Sequence, residues 1–163
     1  MRYLFFFAAI TGCVALGAPA SAQTATGNLN VSVTIASGCT VAGGTIAFGA
    51  QTSLQTAIDQ TGTVNVTCTN TTPYTVALTA GANGASVTTR RMRGGSTNTE
   101  FVNYALFTNA GRTTNWGQTI GTDTVAGTGN GSAQPLTIFG RVPAQAIGSP
   151  GSYTDTVTVT VTF

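Results

Sequence analysis

The sequence ends in Val157-Thr158-Val159-Thr160-Val161-Thr162-Phe163, an unbroken alternation of apolar and polar residues. A second alternation, Leu29-Asn30-Val31-Ser32-Val33-Thr34-Ile35, lies near the start. A period of two places successive side chains on opposite faces of a β-strand, so each stretch predicts a strand with one buried face. The two ends of the chain therefore point to an all-β fold.

The region between these two stretches predicts further short strands. Runs rich in β-branched and aromatic residues, which favour a pleated surface, lie at 45–48, 63–69, 74–79, 101–108 and 136–139. Clusters of Gly, Asn and other turn-forming residues separate them, at 43–44, 81–84, 94–98, 109–111 and 127–131. Residues 53–60 are expected to form a loop. This spacing of strands and turns indicates an antiparallel β-sandwich.

The first 22 residues predict a secretory signal peptide. Met1-Arg2 is a positively charged start, residues 3–18 are mostly apolar, and Ala20-Ser21-Ala22 has the small-x-small pattern of a cleavage site. Cleavage between Ala22 and Gln23 would leave a single domain of 163 − 22 = 141 residues, numbered 23–163. Ile10-Thr11-Gly12-Cys13 resembles a lipobox and offers a competing interpretation, in which Cys13 becomes a lipidated N-terminus.

Cys39 and Cys68 are the two cysteines outside the signal. Two thiols in an exported chain predict a disulfide, and two free buried thiols are the alternative. In the chain-entropy model, closing a loop of about 30 residues stabilises the fold by about 3–4 kcal/mol.

The composition argues against catalysis. The chain has no His, which excludes a Ser-His-Asp triad, a Cys-His pair and the common zinc ligand sets. The four acidic residues are far apart in sequence and are expected to be isolated surface acids, with a carboxylate pair for glycoside hydrolysis as the alternative: Asp59, Glu100, Asp123 and Asp155. We therefore expect no enzyme, no cofactor and no metal.

Only 6% of the residues are charged. Arg90, Arg91 and Arg93 cluster near one predicted turn and are expected to form a solvated loop, not a nucleic-acid site. Trp116 and Tyr104 are expected to pack in the core and not to bind a ligand. No apolar run after the signal approaches the ~20 residues that span a bilayer.

An ordered set of motifs runs through the chain: Ser37-Gly38-Cys39-Thr40-Val41, Phe48-Gly49, Val66-Thr67-Cys68, Pro73-Tyr74-Thr75-Val76-Ala77-Leu78, Arg90-Arg91-Met92, Asn103-Tyr104-Ala105-Leu106-Phe107, Gly111-Arg112-Thr113, Trp116-Gly117, Ile138-Phe139-Gly140-Arg141-Val142-Pro143 and Gly151-Ser152-Tyr153-Thr154-Asp155-Thr156-Val157. With this set the sequence resembles the spore coat U domain family, which includes the major subunits of archaic, Csu-type chaperone–usher pili. Leu106-Phe107 followed by Asn109 departs from the Leu-Tyr and Asp that such sequences often show.

The resemblance implies an incomplete immunoglobulin-like antiparallel β-sandwich that is completed by a donor strand from another subunit. The donor segment would be residues 23–36, with four apolar side chains filling pockets: Leu29, Val31, Val33 and Ile35. The acceptor groove would lie along the C-terminal strand, at Val157, Val159, Val161 and Phe163. On pattern alone the N-terminal segment could pair within its own domain, and the donor register stays open because Ile35 could belong to the subunit's own first strand.

The resemblance also implies a function. A structural pilus subunit would pass through the periplasm to the cell surface, polymerise by donor-strand exchange and serve adhesion and biofilm formation. Its partners would be identical or related subunits, a periplasmic chaperone and an outer-membrane usher, with neither nucleic-acid binding nor membrane insertion. The alternatives are a secreted coat or matrix protein of the same fold and an adhesin-type binding module. An adhesin usually carries an additional domain, for which this length leaves no room.

Overall fold

Two antiparallel β-sheets make up the folded body. The computed structural model describes residues 21–163, and the unit Ile35–Phe163 contains nine strands: β1 Cys39–Ala42, β2 Ile58–Cys68, β3 Pro73–Leu78, β4 Arg90–Gly94, β5 Glu100–Phe107, β6 Val125–Thr128, β7 Ala133–Val142, β8 Tyr153–Thr154 and β9 Val159–Thr162. The larger sheet has the order β1-β2-β7-β5-β4-β8 and the smaller has β6-β3-β9. The prediction of an all-β antiparallel sandwich is confirmed.

The N-terminal unit is described from residue 21 to Thr34 and contains no secondary structure there. The predicted donor side chains are exposed: Leu29 by 87%, Val31 by 86%, Val33 by 86% and Ile35, which begins the next unit, by 82%. No ladder within residues 21–163 includes this alternation. The first 20 residues, which include Cys13 of the lipobox alternative, lie outside the described range. Cleavage between Ala22 and Gln23 stays a prediction.

The core lies between the two sheets because the inward positions of the strands are apolar. Alternate residues of β2, β3 and β5 are buried while their neighbours face solvent. Trp116 and Tyr104 are both buried, as predicted, and the remaining core is apolar: Leu54, Val64, Val66, Cys68, Tyr74, Val76, Leu78, Val102, Leu106, Ile138 and Val142. Each full burial of such a side chain is worth about 1.5–3 kcal/mol, which makes this interior the main source of stability.

Most of the predicted strands are present, but the N-terminal alternation at residues 29–35, which also predicted a strand, forms none. The stretches 63–69, 74–79, 101–108 and 136–139 correspond to β2, β3, β5 and β7, and the C-terminal alternation forms β9. Four strands were not predicted, namely β1, β4, β6 and β8. Within residues 21–163 no helix has the length and hydropathy that crossing a bilayer requires, and no three potential metal ligands cluster together.

Two predictions about residues 45–60 are wrong. Residues 45–48 form no strand, because this segment crosses the inner face of the larger sheet and does not pair along an edge. Residues 53–60 are loop only as far as residue 57, since Ile58 begins β2 and pairs with Val142.

The prediction of a solvated arginine loop is also wrong. Arg90, Arg91 and Arg93 lie on β4, which pairs with β5, and Arg90 is fully buried. The alternation of β4 directs the Arg90 side chain into the sandwich and the Arg91 and Arg93 side chains to the outer face.

Candidate strand-acceptor groove

The C-terminal strand β9 lies at the edge of the smaller sheet. Its partner in the described chain is β3, with Val161 opposite Val76 and Val159 opposite Leu78. The Thr79 N–H donates to the Thr158 carbonyl at 3.0 Å. Backbone groups point to alternate sides along an antiparallel strand, so those of Val157, Val159 and Val161 face the open side. An edge of this kind can accept another strand.

The same valines supply apolar side chains to the interior. Val157, Val159 and Val161 are half-buried and pack against the core, whereas the intervening threonines are exposed. Val157 and Val159 line a cavity between the sheets. Phe163 follows the end of β9 and is 58% exposed. Of the four predicted groove residues, Val157 and Val159 therefore line the cavity, Val161 packs against the core and Phe163 is exposed.

Two cavities with a mostly apolar lining share four lining residues, and we call them together the acceptor groove. The first, of about 390 Å³, lies between Val157–Val159 and residues 43–48, with Leu78, Leu106 and Ile138 among its lining residues. The second, of about 710 Å³, continues beside residues 147–153 towards Leu54 and Val142. Ile46, Phe48, Met92 and Tyr153 line both cavities.

The side of the groove opposite Val157 and Val159 is formed by residues 45–48, the segment that was wrongly predicted as a strand. A Cβ atom at Gly62 would collide with the Ile46 side chain, and one at Gly140 would lie 3.1 Å from Phe48 Cζ. The two glycines therefore allow Ile46 and Phe48 to lie against β2 and β7. The edge strands β1 and β9 come within 8 Å of each other between Cα atoms at this side of the sandwich.

A partly buried hydrogen-bond network borders the first cavity. The Tyr104 hydroxyl donates to Asp155 Oδ2 at 2.6 Å, and Asp155 Oδ1 accepts from Asn83 N at 3.1 Å and Asn83 Nδ2 at 3.0 Å. Burial, together with the bond to the carboxylate, raises the pKa of Tyr104 well above its ordinary value. Asp155 thereby fixes the chain just before Val157 and positions the start of the groove's edge.

A second network holds the loop beside the larger cavity. Glu100 Oε2 accepts from Ser149 N at 2.6 Å and from the Tyr153 hydroxyl at 2.9 Å. Hydrogen bonds from Ser149 and Tyr153 hold the pKa of Glu100 below its ordinary value. The carboxylate thus ties residues 149–153 to the start of β5.

Arg90 is hydrogen-bonded to the end of β3 beside the groove, and sequence reasoning did not identify this role. Its Nη2 donates to the carbonyls of Leu78 at 3.0 Å and Trp116 at 2.7 Å, and its Nε donates to Thr79 at 2.9 Å. Burial lowers the pKa of Arg90, and the carbonyl dipoles satisfy its N–H groups. The Thr79 carbonyl already accepts a hydrogen bond from the Arg90 guanidinium, and the Thr158 N–H donates instead to Thr79 Oγ1 at 3.0 Å. Arg90 therefore organises the end of the β3–β9 pairing.

The predicted disulfide is present. Cys39 and Cys68 are bonded and lie directly opposite each other in the β1–β2 ladder. The bond fixes the edge strand β1 to its neighbour β2, a few residues after the exposed N-terminal alternation. Each of the four acidic residues is hydrogen-bonded to a partner that is not an acid: Asp59 to Arg141, Glu100 to Ser149 and Tyr153, Asp123 to Thr119, and Asp155 to Tyr104 and Asn83.

Sequence reasoning named two β9-side residues that line the first cavity, Val157 and Val159, and missed the residues on its other sides. Gly62 and Gly140 interrupt otherwise apolar inward positions of β2 and β7, and such interruptions are the signal that a chain segment passes close by. Arg90 occupies an inward position of β4, but its strand is too short and too basic for the alternation to be recognised.

Comparison with known proteins agrees with this architecture. A family model described as Spore Coat Protein U domain matches residues 25–160. Protein U of Myxococcus xanthus is 34% identical over an alignment of 173 positions that covers 96% of each chain.

A solved structure of similar fold is the CsuC–CsuE chaperone–tip adhesion subunit pre-assembly complex from the archaic chaperone–usher Csu pili of Acinetobacter baumannii. A chain of that complex superposes with a TM-score of 0.59 at 22% identity, over 80% of this chain and 41% of that one. This chain therefore spans less than half of the chain that it matches there, and the likeness shows a shared fold. From the family match and the identity to Protein U, the chain belongs to the Spore Coat Protein U domain family.

Proposed function

We propose that this protein is a structural subunit of a surface fibre and that it polymerises by inserting its N-terminal segment into the acceptor groove of the next copy. The observation that carries the proposal is the unpaired outward edge of β9 beside an open apolar groove, in the part of the chain that the structure describes. A sandwich with such an opening gains stability from an added strand.

The exposed alternation supplies a segment of the required chemistry. Leu29, Val31, Val33 and Ile35 are exposed by more than 80% and would share one face if the segment formed a β-strand. Burying four such side chains is worth about 6–12 kcal/mol before the costs of ordering the segment. A shift of one residue would turn every apolar side chain outward, so the groove would select a register.

The partners follow from the same geometry. A newly exported subunit with an open groove exposes apolar surface and a strand edge, and both promote aggregation. A periplasmic chaperone that fills the groove, followed by an outer-membrane usher where the donor segment replaces it, would protect the subunit until assembly. A chaperone–subunit complex of the Csu system contains a chain of the same fold. On this proposal the fibre reaches the cell surface and serves adhesion and biofilm formation.

A second candidate is a secreted coat protein, which the description of the family favours. Such a protein would use the same fold without a chaperone–usher pathway. Genes for a chaperone and an usher beside the gene for this protein would support the pilus subunit, and assembly without them would support the coat protein.

Co-expression with the periplasmic chaperone tests the proposed polymerisation. The mature chain should form ladders that resist SDS and collapse on boiling. A variant that lacks residues 23–34 should remain as single chaperone-bound subunits. A matched control keeps the length but replaces Asn30 and Ser32 with Thr, and it should form ladders. Ladders from the truncated chain would reject the donor role.

A further inference from the structure

Apart from the buried Arg90, the arginines of the folded body lie on one surface, where Arg93 is exposed and the others are partly buried. The chain has six Lys and Arg residues, all of them Arg; Arg2 belongs to the predicted signal and Arg90 is buried. The alternation of β4 and β7 directs Arg91, Arg93 and Arg141 to the outer side of the larger sheet. Arg112 reaches the same side and lies 3.2 Å from Asp59. We call this surface the basic face: Asp59, Arg91, Arg93, Phe101, Arg112 and Arg141.

The basic face has a net charge of +3, because four arginines face one aspartate. The other acids are bound in networks elsewhere, with Glu100 held by Ser149 and Tyr153 and Asp155 held by Tyr104. Asp123 accepts from the Thr119 N–H in its own loop. A second copy of this chain therefore offers no unengaged acidic surface within its described residues to match the basic face. A different, anionic molecule therefore matches the basic face better than a second copy does.

Two arginines on this face have donors to spare. Arg91 and Arg93 use Nε to donate to the carbonyls of Asn83 at 2.6 Å and Asn98 at 2.7 Å. Within the described residues neither has a carboxylate within 4.0 Å. Their terminal N–H groups therefore remain available as a planar fork.

The same face shows how such a fork holds a carboxylate. Arg141 donates from Nε to Asp59 Oδ1 at 2.7 Å and from Nη2 to Oδ2 at 2.8 Å. This bidentate geometry is the strongest that an arginine makes with a planar carboxylate. Arg91 and Arg93 can offer an external carboxylate a similar pair of donors through their terminal nitrogens.

The surroundings fit a sugar polymer better than a nucleic acid or a membrane. Phe101 is 42% exposed and stacks on Arg91 at 4.1 Å, so an aromatic ring lies beside the charges. Thr61, Thr63 and Asn103 are exposed and can both donate to and accept from hydroxyl groups. A net charge of +3 is small beside the roughly 6–10 phosphate contacts of a duplex-binding protein. One exposed aromatic ring is also too little for membrane insertion.

We propose that the basic face binds a carboxylated polysaccharide, with Arg91 and Arg93 holding sugar carboxylates and Phe101 contacting a sugar ring. The proposal goes beyond the fibre subunit function and does not depend on strand exchange. In a polymer the face would repeat along the fibre, and many weak contacts would add up to firm attachment.

The test is binding of the mature protein to immobilised alginate, a polymer of uronic acids, with neutral dextran as the reference. Binding should occur on alginate, fall as ionic strength rises towards about 0.15 M, and be absent on dextran. The double variant Arg91→Gln/Arg93→Gln should bind alginate about tenfold more weakly. Asp59→Asn removes the one acid on the face and should bind more tightly than the unmodified protein.

A matched control separates position from net charge. Ala126 and Thr128 are exposed on β6 of the other sheet, so Ala126→Lys/Thr128→Lys added to the double variant restores the net charge on a different surface. Alginate binding should stay weak in this quadruple variant. Full recovery there, unchanged binding in the double variant, equal binding to dextran, or stronger binding to single-stranded DNA or anionic vesicles would overturn the proposal.

Discussion

The buried guanidinium of Arg90 donates to the carbonyl of Trp116 at 2.7 Å, and the Trp116 indole N–H in turn donates to the carbonyl of Val76 at 2.9 Å. The two side chains thus connect β4 to the centre of β3, the strand on which the groove's edge rests. Both are fully buried, so each polar group needs its partner.

Replacing Arg90 should therefore be far more damaging than replacing its neighbours. Arg90→Met removes the donors of the buried Leu78 and Trp116 carbonyls, which should lower the free energy of unfolding by about 2–6 kcal/mol. Urea unfolding followed by the fluorescence of Trp116, the single tryptophan, measures the change. Arg91→Met, on the exposed side of β4, is the matched control and should cost about 1 kcal/mol or less. Equal losses for the two variants would contradict the role of Arg90.

The disulfide should stabilise the body by restricting the unfolded chain. The bond joins residues 29 positions apart, so its loss should cost about 3–4 kcal/mol in the chain-entropy model. Cys39→Ser/Cys68→Ser should unfold at a correspondingly lower urea concentration, and a reducing agent should shift the unmodified protein but not the variant. A variant as stable as the oxidised protein would show that the β1–β2 ladder needs no cross-link.

Acid should weaken the loop beside the larger cavity. The folded-state pKa of Glu100 lies below its ordinary value of 4.5, so folding favours the ionised carboxylate. Its contribution is fully present above about pH 4.5 and is lost as the pH falls through the folded-state pKa. Melting temperatures between neutral and acid pH should fall less steeply for Glu100→Gln than for the unmodified protein. If the melting temperatures of the two proteins fell in parallel with pH, Glu100 would not be the group whose protonation weakens the loop.

Polymerisation should depend on the apolar side of the N-terminal alternation and not on its polar side. Val33→Asp would lose the ~1.5–3 kcal/mol of valine burial and would also force a carboxylate into an apolar groove, so ladders should disappear. Ser32→Asp carries the same charge one residue away and should leave them intact. The readout is the proportion of protein in SDS-resistant ladders. Loss with both substitutions, or with neither, would contradict the proposed orientation of the segment.

Sequence reasoning succeeded where burial follows the strand period. In β3, Tyr74, Val76 and Leu78 are buried while their neighbours are more exposed, so the pattern in the sequence is the pattern in space. It failed in β4, where the inward position holds Arg90 and the pairing with β5 decides the structure. It failed also at Ile46 and Phe48, whose alternation reflects contacts with Gly62 and Gly140 and not a ladder. The structure at these positions is determined by tertiary contacts between distant segments, and the local periodicity of the sequence carries no information about those contacts.

The most direct measurement is the melting temperature of the chain lacking residues 23–34, after release from its chaperone, with and without a synthetic peptide of residues 27–37. We expect the peptide to bind and raise the melting temperature by about 5–15 °C at saturating concentration. A peptide with the same composition, in which the apolar and polar positions are exchanged, should leave it unchanged. A truncated chain that is already a stable monomer, with a melting temperature that neither peptide alters, would contradict a sandwich that needs a strand from another molecule.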